Sequence, residues 1–400
     1  MDRKRNPFAP GAGTRPPELA GREQIIEDAA VALARVRAGR PARSQMLLGL
    51  RGVGKTVLLN EIARLAEAEG YRTIELEAPE HRRLAEMLVP PLRSVLNRLS
   101  TAEQARALAT WALRALHGFA SAFEVKVGEV ELSVSEPGVA DSGHLETDLP
   151  ELLLLAAQAA RAAETPVAIL IDEVQYLAAD DLSALIVAVH RIGQRGLPVI
   201  VFGAGLPQLA GLAGEAKSYA ERLFDYPPVG ALERAAAERA VQGPIRGEGA
   251  DIAGDALSAI VDQTQGYPYF LQEWGSHAWD TAPTSPIVAA DVARASEVAL
   301  RALDRGFFRV RLDRLTPREK DYMRAMAELG PGPHRSGDVA ALVGLSVTNA
   351  APLRRELIRK GMIYSPQHGE TAFTVPMFDA FMKRSMPDWR AAGRLARRVR

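Results

Sequence analysis

Apolar residues follow two alternating patterns along the first 230 residues of the chain. They recur at helical spacing over 24–36 and 56–69, whereas 45–50, 167–171 and 197–202 form short continuous apolar runs. Continuous runs are typical of parallel strands buried on both faces, and helices between such strands supply right-handed crossovers. The pattern predicts an α/β domain in which helices cover both faces of a parallel sheet.

The pattern then changes along the chain and divides it into domains. Residues 80–145 interrupt the α/β alternation, and within them 123–135 alternate between apolar and polar positions around Gly128, which indicates a small hairpin in an insertion. After Tyr226-Pro227-Pro228 the spacing is helical. The predicted parts are a loose arm at 1–14, an α/β core at 15–228, a helical lid at 229–305, a domain of three helices and a hairpin at 306–385, and a basic tail at 386–400.

The composition is that of a folded protein, and its neutral charge hides an asymmetry. The 400 residues are 47% apolar and carry 49 basic and 49 acidic side chains, so a disordered chain is excluded. The last hundred residues have a net charge of +10 and the first three hundred −10. A basic end suggests a polyanionic partner; ordinary solvated faces with a basic tail are the alternative.

Other properties of the composition exclude whole classes of function. The chain has no cysteine, which excludes disulfides, cysteine metal sites and thiol nucleophiles. No apolar run approaches the roughly 20 residues of a membrane span, and no apolar segment follows the charged N-terminus. We therefore expect a cytoplasmic protein without a membrane partner.

A glycine-rich segment between a predicted strand and a predicted helix has the spacing GxxxxGK[ST]. In such a loop, glycines let backbone N–H groups point at phosphates, the helix N-terminus adds its dipole, the lysine reaches the β- and γ-phosphates, and the hydroxyl binds Mg²⁺. The strand before it and the helix after it are the context that this motif needs. The residues expected to bind nucleotide are Gly49, Gly52, Val53, Gly54, Lys55, Thr56 and Val57.

Two carboxylates follow the apolar run at 167–171. Asp172 and Glu173 come at the carboxyl end of a predicted strand, where ligands bind in parallel sheets. Asp172 is the candidate for the Mg²⁺ shell beside Thr56, and Glu173 is the candidate that orients or deprotonates the attacking water.

These motifs together resemble the AAA+/STAND type of P-loop ATPase, close to the origin-recognition initiator and archaeal ATPase clades. Gly21-Arg22-Glu23 resembles the box that opens these modules near the adenine, and Gly266-Tyr267-Pro268 resembles the Gly-x-Pro box of their lid. The resemblance covers about residues 15–300 and often extends to a C-terminal winged helix. It implies ATP or ADP with Mg²⁺ as ligands, hydrolysis of ATP to ADP and phosphate, and nucleotide contacts by Gly21, Arg22, Gly266 and Pro268.

The chain departs from this family pattern at two positions. The strand at 199–202 continues into Gly203-Ala204-Gly205 rather than a polar sensor residue, with Gln208 a weak substitute, and no arginine stands beside Gly-x-Pro. Losing a γ-phosphate contact weakens transition-state stabilisation more than binding. We therefore predict tight nucleotide binding with slow hydrolysis.

Arg222 lies after that strand, where related ATPases place an arginine finger. In that role it acts as a catalytic residue on a neighbouring subunit and the active form is a homo-oligomer. A surface ion pair with Glu221 or Asp225 is the alternative.

The segment 306–385 resembles a winged helix-turn-helix. Thr316-Pro317-Arg318-Glu319 is typical of the start of a helix. The third helix of the segment is expected to start near Asn349 or to kink at Pro352. In a DNA-binding version the third helix enters the major groove. The candidate contacts to duplex DNA are Ser346, Thr348, Asn349, Arg354, Arg355, Arg359 and Lys360.

Two functions are consistent with the sequence. The first is an ATP-dependent switch whose winged helix contacts DNA. The second is a STAND-like signalling switch that barely hydrolyses ATP, binds a protein partner, and uses the winged helix as a clasp on its own ATPase domain.

Overall fold

A parallel sheet lies at the centre of the first half of the chain, as the sequence predicts. The computed structural model describes residues 1–11, 13–78, 82–125 and 139–392. The sheet has the order β2-β3-β4-β1-β5, and all its strand pairs are parallel. Its strands are β1 (Ser44–Leu48), β2 (Arg72–Glu77), β3 (Val167–Asp172), β4 (Val199–Gly205) and β5 (Phe224–Asp225).

Helices cover both faces of this sheet, which is why β3 is apolar at five successive positions. The helices of this half are α1 (Glu23–Arg37), α2 (Lys55–Ala68), α3 (Leu84–Leu99), α4 (Arg106–Ala122), α5 (Leu145–Ala162), α6 (Ala179–Gln194), α7 (Leu209–Ala216) and α8 (Ala220–Leu223). Helices α3 and α4 belong to the predicted insertion and share an apolar core with α5 and α6. Most of the hairpin predicted at 123–135 lies outside the described residues.

Four helices form the region predicted as a lid: α9 (Arg234–Gly247), α10 (Gly254–Thr264), α11 (Pro268–Thr281) and α12 (Ala289–Leu303). The two tryptophans of α11, Trp274 and Trp279, are buried core residues. The Trp274 indole donates hydrogen bonds to Gln263 at 2.9 Å and to Ser296 at 3.0 Å. None of the described helices combines the length and apolarity that crossing a membrane requires.

The N-terminal segment packs against the lid, which corrects the expectation of a loose arm. The Asn6 amide donates to Asp280 at 2.9 Å, and the indole of Trp279 donates to the backbone oxygen of Asp2 at 2.9 Å. The ring of Phe8 is buried so closely over Gly275 that a Cβ at that glycine would lie 2.5 Å from it. Composition suggested a flexible arm, but one aromatic side chain and satisfied polar groups fix it in place.

The last part of the chain holds five helices and a small antiparallel sheet. A π-helical turn, Asp304–Phe308, joins α12 to this part, and the sheet has the order β6-β8-β7. The elements are α13 (Arg309–Asp313), α14 (Pro317–Leu329), β6 (His334–Arg335), α15 (Ser336–Leu342), α16 (Val347–Arg359), β7 (Ile363–Tyr364), β8 (Glu370–Phe373) and α17 (Phe378–Ser385).

From α14 to β8 these elements follow the order helix, strand, helix, helix, strand, strand. This order is compatible with the winged helix suggested by the sequence, and that assignment stays a prediction. Helix α16 begins at Val347, two residues before the expected start, because Ser346 caps it by accepting from the Asn349 N–H, and it continues through Pro352. Residues 393–400 of the expected basic tail lie outside the described residues.

Candidate nucleotide site

The glycine-rich loop connects β1 to α2 at the carboxyl edge of the sheet. Gly52 and Gly54 have φ values of +84° and +93°, a conformation that L side chains rarely adopt. Lys55, at the start of α2, is buried, and its Nζ donates to the Leu50 carbonyl at 2.9 Å. Burial lowers the pKa of Lys55, because a charged ammonium is disfavoured away from water. A bound phosphate would compensate this charge.

A cavity of about 380 Å³ opens above this loop, within the size range of small-ligand pockets. Four parts of the chain surround it: the N-terminal arm, the loop, the lid and the junction with the C-terminal part. Of the predicted nucleotide-binding residues, those that line it are Arg22, Gly52, Val53, Gly54, Lys55, Thr56, Val57 and Pro268, together with Glu173.

The other predicted glycines shape the walls of this cavity instead of lining it. A Cβ at Gly49 would lie 2.2 Å from the Val229 carbonyl oxygen, and one at Gly266 would lie 2.4 Å from that of Leu232. Gly21 similarly lies against Ala236. These glycines therefore allow the lid and the strand edge to approach the loop.

Thr56 and Asp172 lie together as the candidate metal ligands. The Thr56 hydroxyl donates to the Asp172 carboxylate at 2.5 Å, so the two oxygens converge. Burial raises the pKa of Asp172, because a carboxylate charge is disfavoured away from water. A hydroxyl and a carboxylate are the oxygen ligands that Mg²⁺ takes beside nucleotide phosphates, so these residues fit that ion.

Glu173 is held in an unusual backbone conformation, with φ at 53°. Such left-handed positions are costly for non-glycine residues and cluster at functional sites. Its carboxylate accepts a hydrogen bond from Gln175, and the Gln175 Oε1 accepts from the Leu206 N–H at 3.0 Å. Gln175 therefore links Glu173 to the end of β4. Nothing in the sequence indicated this role for Gln175, although the residue stands only two positions after Glu173.

Arg22 connects the loop to the start of the lid. Its guanidinium donates to the Val53 carbonyl at 3.2 Å and to that of Gly230. Burial lowers the pKa of Arg22. Arg22 therefore stabilises the position of the loop and also lines the cavity. The short sequence motif did not predict its contact with the loop.

The C-terminal part packs directly on the phosphate-binding loop. A Cβ at Gly361, after α16, would lie 2.4 Å from the Arg51 guanidinium and 3.0 Å from the Tyr176 hydroxyl. Arg51 donates a hydrogen bond to that hydroxyl, and the Tyr267 hydroxyl donates to the Arg51 carbonyl. Arg51 stands at a position that the GxxxxGK[ST] pattern leaves free, so the motif gave no signal for it.

A residue from α13 also reaches the cavity. Arg311 lines it beside Arg51, Tyr269 and Phe307. The backbone N–H of Tyr269 donates to the Gly52 carbonyl at 3.2 Å, and the Tyr269 ring stacks on that of Phe307. Gln208, considered as a substitute sensor, is not among the described residues that line the cavity.

The remaining candidate residues lie away from the cavity. Arg222 is exposed on α8, and Asp225, its alternative partner, forms an ion pair with Arg43 at 3.0 Å. Ser346, Thr348 and Asn349 are exposed at the cap and first turn of α16, and Arg355 is exposed in its second half.

Three of the basic DNA candidates are engaged within the C-terminal part. Arg354 donates to Thr371 at 2.9 Å, and to Ser365 and the Glu370 carbonyl at 2.8 Å. The Lys360 ammonium pairs with the buried Glu319 at 2.9 Å, and Arg359 pairs with Glu356. These contacts count against Arg354 and Lys360 as phosphate contacts, because their charges stabilise the domain itself.

A phosphate-binding loop after β1 and paired carboxylates after β3 define a P-loop NTPase fold. Residues 18–202 match the family described as the AAA ATPase domain, and residues 305–382 match a domain of unknown function, DUF8462. The α/β part of the chain is accordingly similar to the AAA ATPase domain and has the fold of a P-loop NTPase.

The chain is similar to solved structures at low sequence identity, and the first of these supports the fold. A Walker-type ATPase of Pyrococcus abyssi is 18% identical, with a TM-score of 0.59 over 92% of this chain and 97% of that chain. Cdc6p from Pyrobaculum aerophilum is 15% identical, with a TM-score of 0.47 over 97% of this chain and 98% of that chain. No curated protein matches the chain.

Proposed function

We propose that this protein is a slow ATPase whose nucleotide state controls the position of its C-terminal part. The observation that carries the proposal is the contact of Gly361 with Arg51, which places the C-terminal part against the loop that would hold the phosphates. A change in the conformation of that loop on ATP binding or hydrolysis would therefore alter its contact with the C-terminal part. This arrangement favours the clasp of the STAND-like hypothesis.

The residues of the site have distinct tasks in this mechanism. The loop amides and Lys55 would bind the phosphates, and Thr56 with Asp172 would hold Mg²⁺, which would supply positive charge against the charge that develops on the phosphates. Glu173 accepts a proton from the attacking water or orients it. Gln175 positions Glu173 by its hydrogen bond.

The expectation of slow hydrolysis rests on the absence of a polar side chain at the end of β4. The residues there, Gly203, Ala204 and Gly205, have no side-chain donor. A donor aimed at charge that develops in the transition state typically contributes about 10²–10³ in turnover. The hydrogen bond from the Leu206 N–H goes to Gln175, so this region fixes Glu173.

The test is nucleotide binding and single-turnover hydrolysis with wild type, Lys55→Ala and Glu173→Gln. We expect wild type to bind Mg-ATP and hydrolyse it slowly, Lys55→Ala to lose binding, and Glu173→Gln to bind without hydrolysing. Turnover as fast as that of an efficient motor, or undetectable ATP binding by wild type, would contradict the proposal.

Duplex DNA is the second candidate partner, supported by exposed polar and basic residues on α16. Thr348 and Asn349 are exposed in its first turn, and Arg355 is exposed further along the helix. Arg355→Ala should weaken DNA binding and reduce its salt dependence, whereas Arg318→Ala, another exposed arginine of the same part, serves as the matched control. Absent or salt-insensitive binding by wild type would leave the clasp as the function of this part.

An arginine finger is the proposed role of Arg222, whose exposure suits a contact with a second subunit. Arg222→Ala should then abolish the concentration-dependent part of the ATPase rate and leave ATP binding intact. Unchanged turnover, measured with the oligomer size followed in the same samples, would contradict this role.

A further inference from the structure

A cation from the C-terminal part is placed at the nucleotide cavity. Arg311 lies on α13, within the segment that matches the domain of unknown function. It lines the same cavity as Lys55 and Glu173. Its guanidinium lies 3.7 Å from the centre of the Phe307 ring and donates to the Phe307 carbonyl at 2.6 Å. These contacts fix the side chain in place.

The charge of Arg311 is not balanced by the protein. Among the described residues no carboxylate lies within ion-pair distance of it. Burial, and then the neighbouring charge of Arg51, lower the pKa of Arg311 to about 10. A half-buried cation beside a second cation is stabilised when an anion binds between them.

The cavity as a whole has an excess of positive charge. The charged side chains that line it are Arg22, Arg51, Lys55, Arg311, Glu18 and Glu173. Arg22 already donates to the Val53 and Gly230 carbonyls, and Glu173 is assigned to the attacking water. In loops of this type the backbone amides cradle the α- and β-phosphates and the lysine reaches the β- and γ-phosphates. Arg51 and Arg311 are therefore left for the terminal phosphate.

We propose that Arg311 binds the terminal phosphate of ATP together with Arg51, so that the domain of unknown function supplies part of the nucleotide site. The inference rests on the proposed function. It gives Arg311 the role of the phosphate-sensing arginine that is missing beside the Gly-x-Pro box of the lid. It also makes ATP binding and docking of the C-terminal part depend on each other. If docking strengthens ATP binding, then ATP binding stabilises the docked position by the same free energy.

The experiment measures the affinity of the full chain for Mg-ATPγS and for Mg-ADP by titration calorimetry. The variants are Arg311→Gln, Arg311→Lys and, as the matched control, Arg309→Gln, an exposed arginine on the same helix. We expect Arg311→Gln to weaken ATPγS binding about tenfold to a hundredfold, the range for a hydrogen bond to a charged group. Arg311→Lys should recover part of the loss, and ADP binding should change by less than about threefold.

Each result decides the question. ATPγS affinity within about twofold of wild type for Arg311→Gln, or an equal loss in Arg309→Gln, would overturn the inference, and an equal loss for ADP would overturn the assignment to the terminal phosphate. Failure of wild type to bind either nucleotide would instead defeat the proposed function.

Melting temperatures separate a binding role from a structural one. Arg311→Gln removes a half-buried charge without a carboxylate partner together with its contacts to Phe307. These two effects oppose each other, so the nucleotide-free variant should melt close to wild type, and the increase caused by ATPγS should shrink. A much lower melting temperature with an unchanged ATPγS effect would assign Arg311 a structural role and overturn the inference.

Discussion

The ion pair between Lys360 and Glu319 provides a sharp test of whether Lys360 belongs to the domain interior. The side chains are 17% and 3% exposed. Removing one partner of a buried pair costs about 3–5 kcal/mol. Glu319 keeps hydrogen bonds from the Thr316 N–H at 2.7 Å and its hydroxyl at 3.0 Å. We therefore expect Lys360→Met to destabilise the contact of α16 with α14 by about 2 kcal/mol, or roughly thirtyfold in local opening.

Hydrogen exchange of the α14 amides in the full chain measures this local stability without assuming that all domains unfold together. The matched control is Arg359→Met, which removes an ion pair whose side chains are 50% and 39% exposed and should cost only about 0.5 kcal/mol. Protection factors in α14 that fall equally little in both variants would refute the argument. Reduced DNA binding with unchanged protection would place Lys360 at the nucleic-acid surface instead.

Three further predictions address the catalytic carboxylate, the arm and the hairpin of the C-terminal part. Glu173→Gln should trap ATP, so quantification of bound nucleotide after overnight incubation should find ATP where wild type holds ADP; ADP in both would contradict the role of Glu173. Phe8→Ala should weaken arm docking by about 3 kcal/mol, which should change the fluorescence of Trp279 as its hydrogen bond to the arm is lost; an unchanged spectrum would show that other contacts hold the arm. Arg354→Met removes three hydrogen bonds and should speed hydrogen exchange across β7 and β8; equal protection would show that those bonds contribute little.

The sequence predicts the parallel sheet and the candidate nucleotide site at its carboxyl edge because both depend on local patterns. The apolar run before Asp172 is long enough to identify a buried strand, and the spacing of Gly49 to Thr56 identifies the loop. Asp172 and Thr56 lie far apart in the chain, yet the rule that ligands bind at the carboxyl edge of parallel strands brings them together.

Contacts between distant segments were not predictable in this way. Arg311 and Arg51 belong to no motif, and only the packing of the C-terminal part on the loop brings them to one cavity. Phe8 lies in a segment rich in arginine, proline and glycine, a composition that predicts a flexible segment although this buried ring helps to anchor it. Lys360 looked like a phosphate contact because its partner, Glu319, is 41 positions away.

The position of the arm has a kinetic consequence. Residues 9–11, 13, 14 and 16 line the cavity, and Phe8 anchors them to α11. A nucleotide bound in this cavity would contact the arm, so we expect its residence time to depend on the frequency of arm opening as well as on phosphate affinity. The lifetime of the bound state, and hence the interval for which the protein stays in one state, is then set partly by a phenylalanine outside the ATPase motifs.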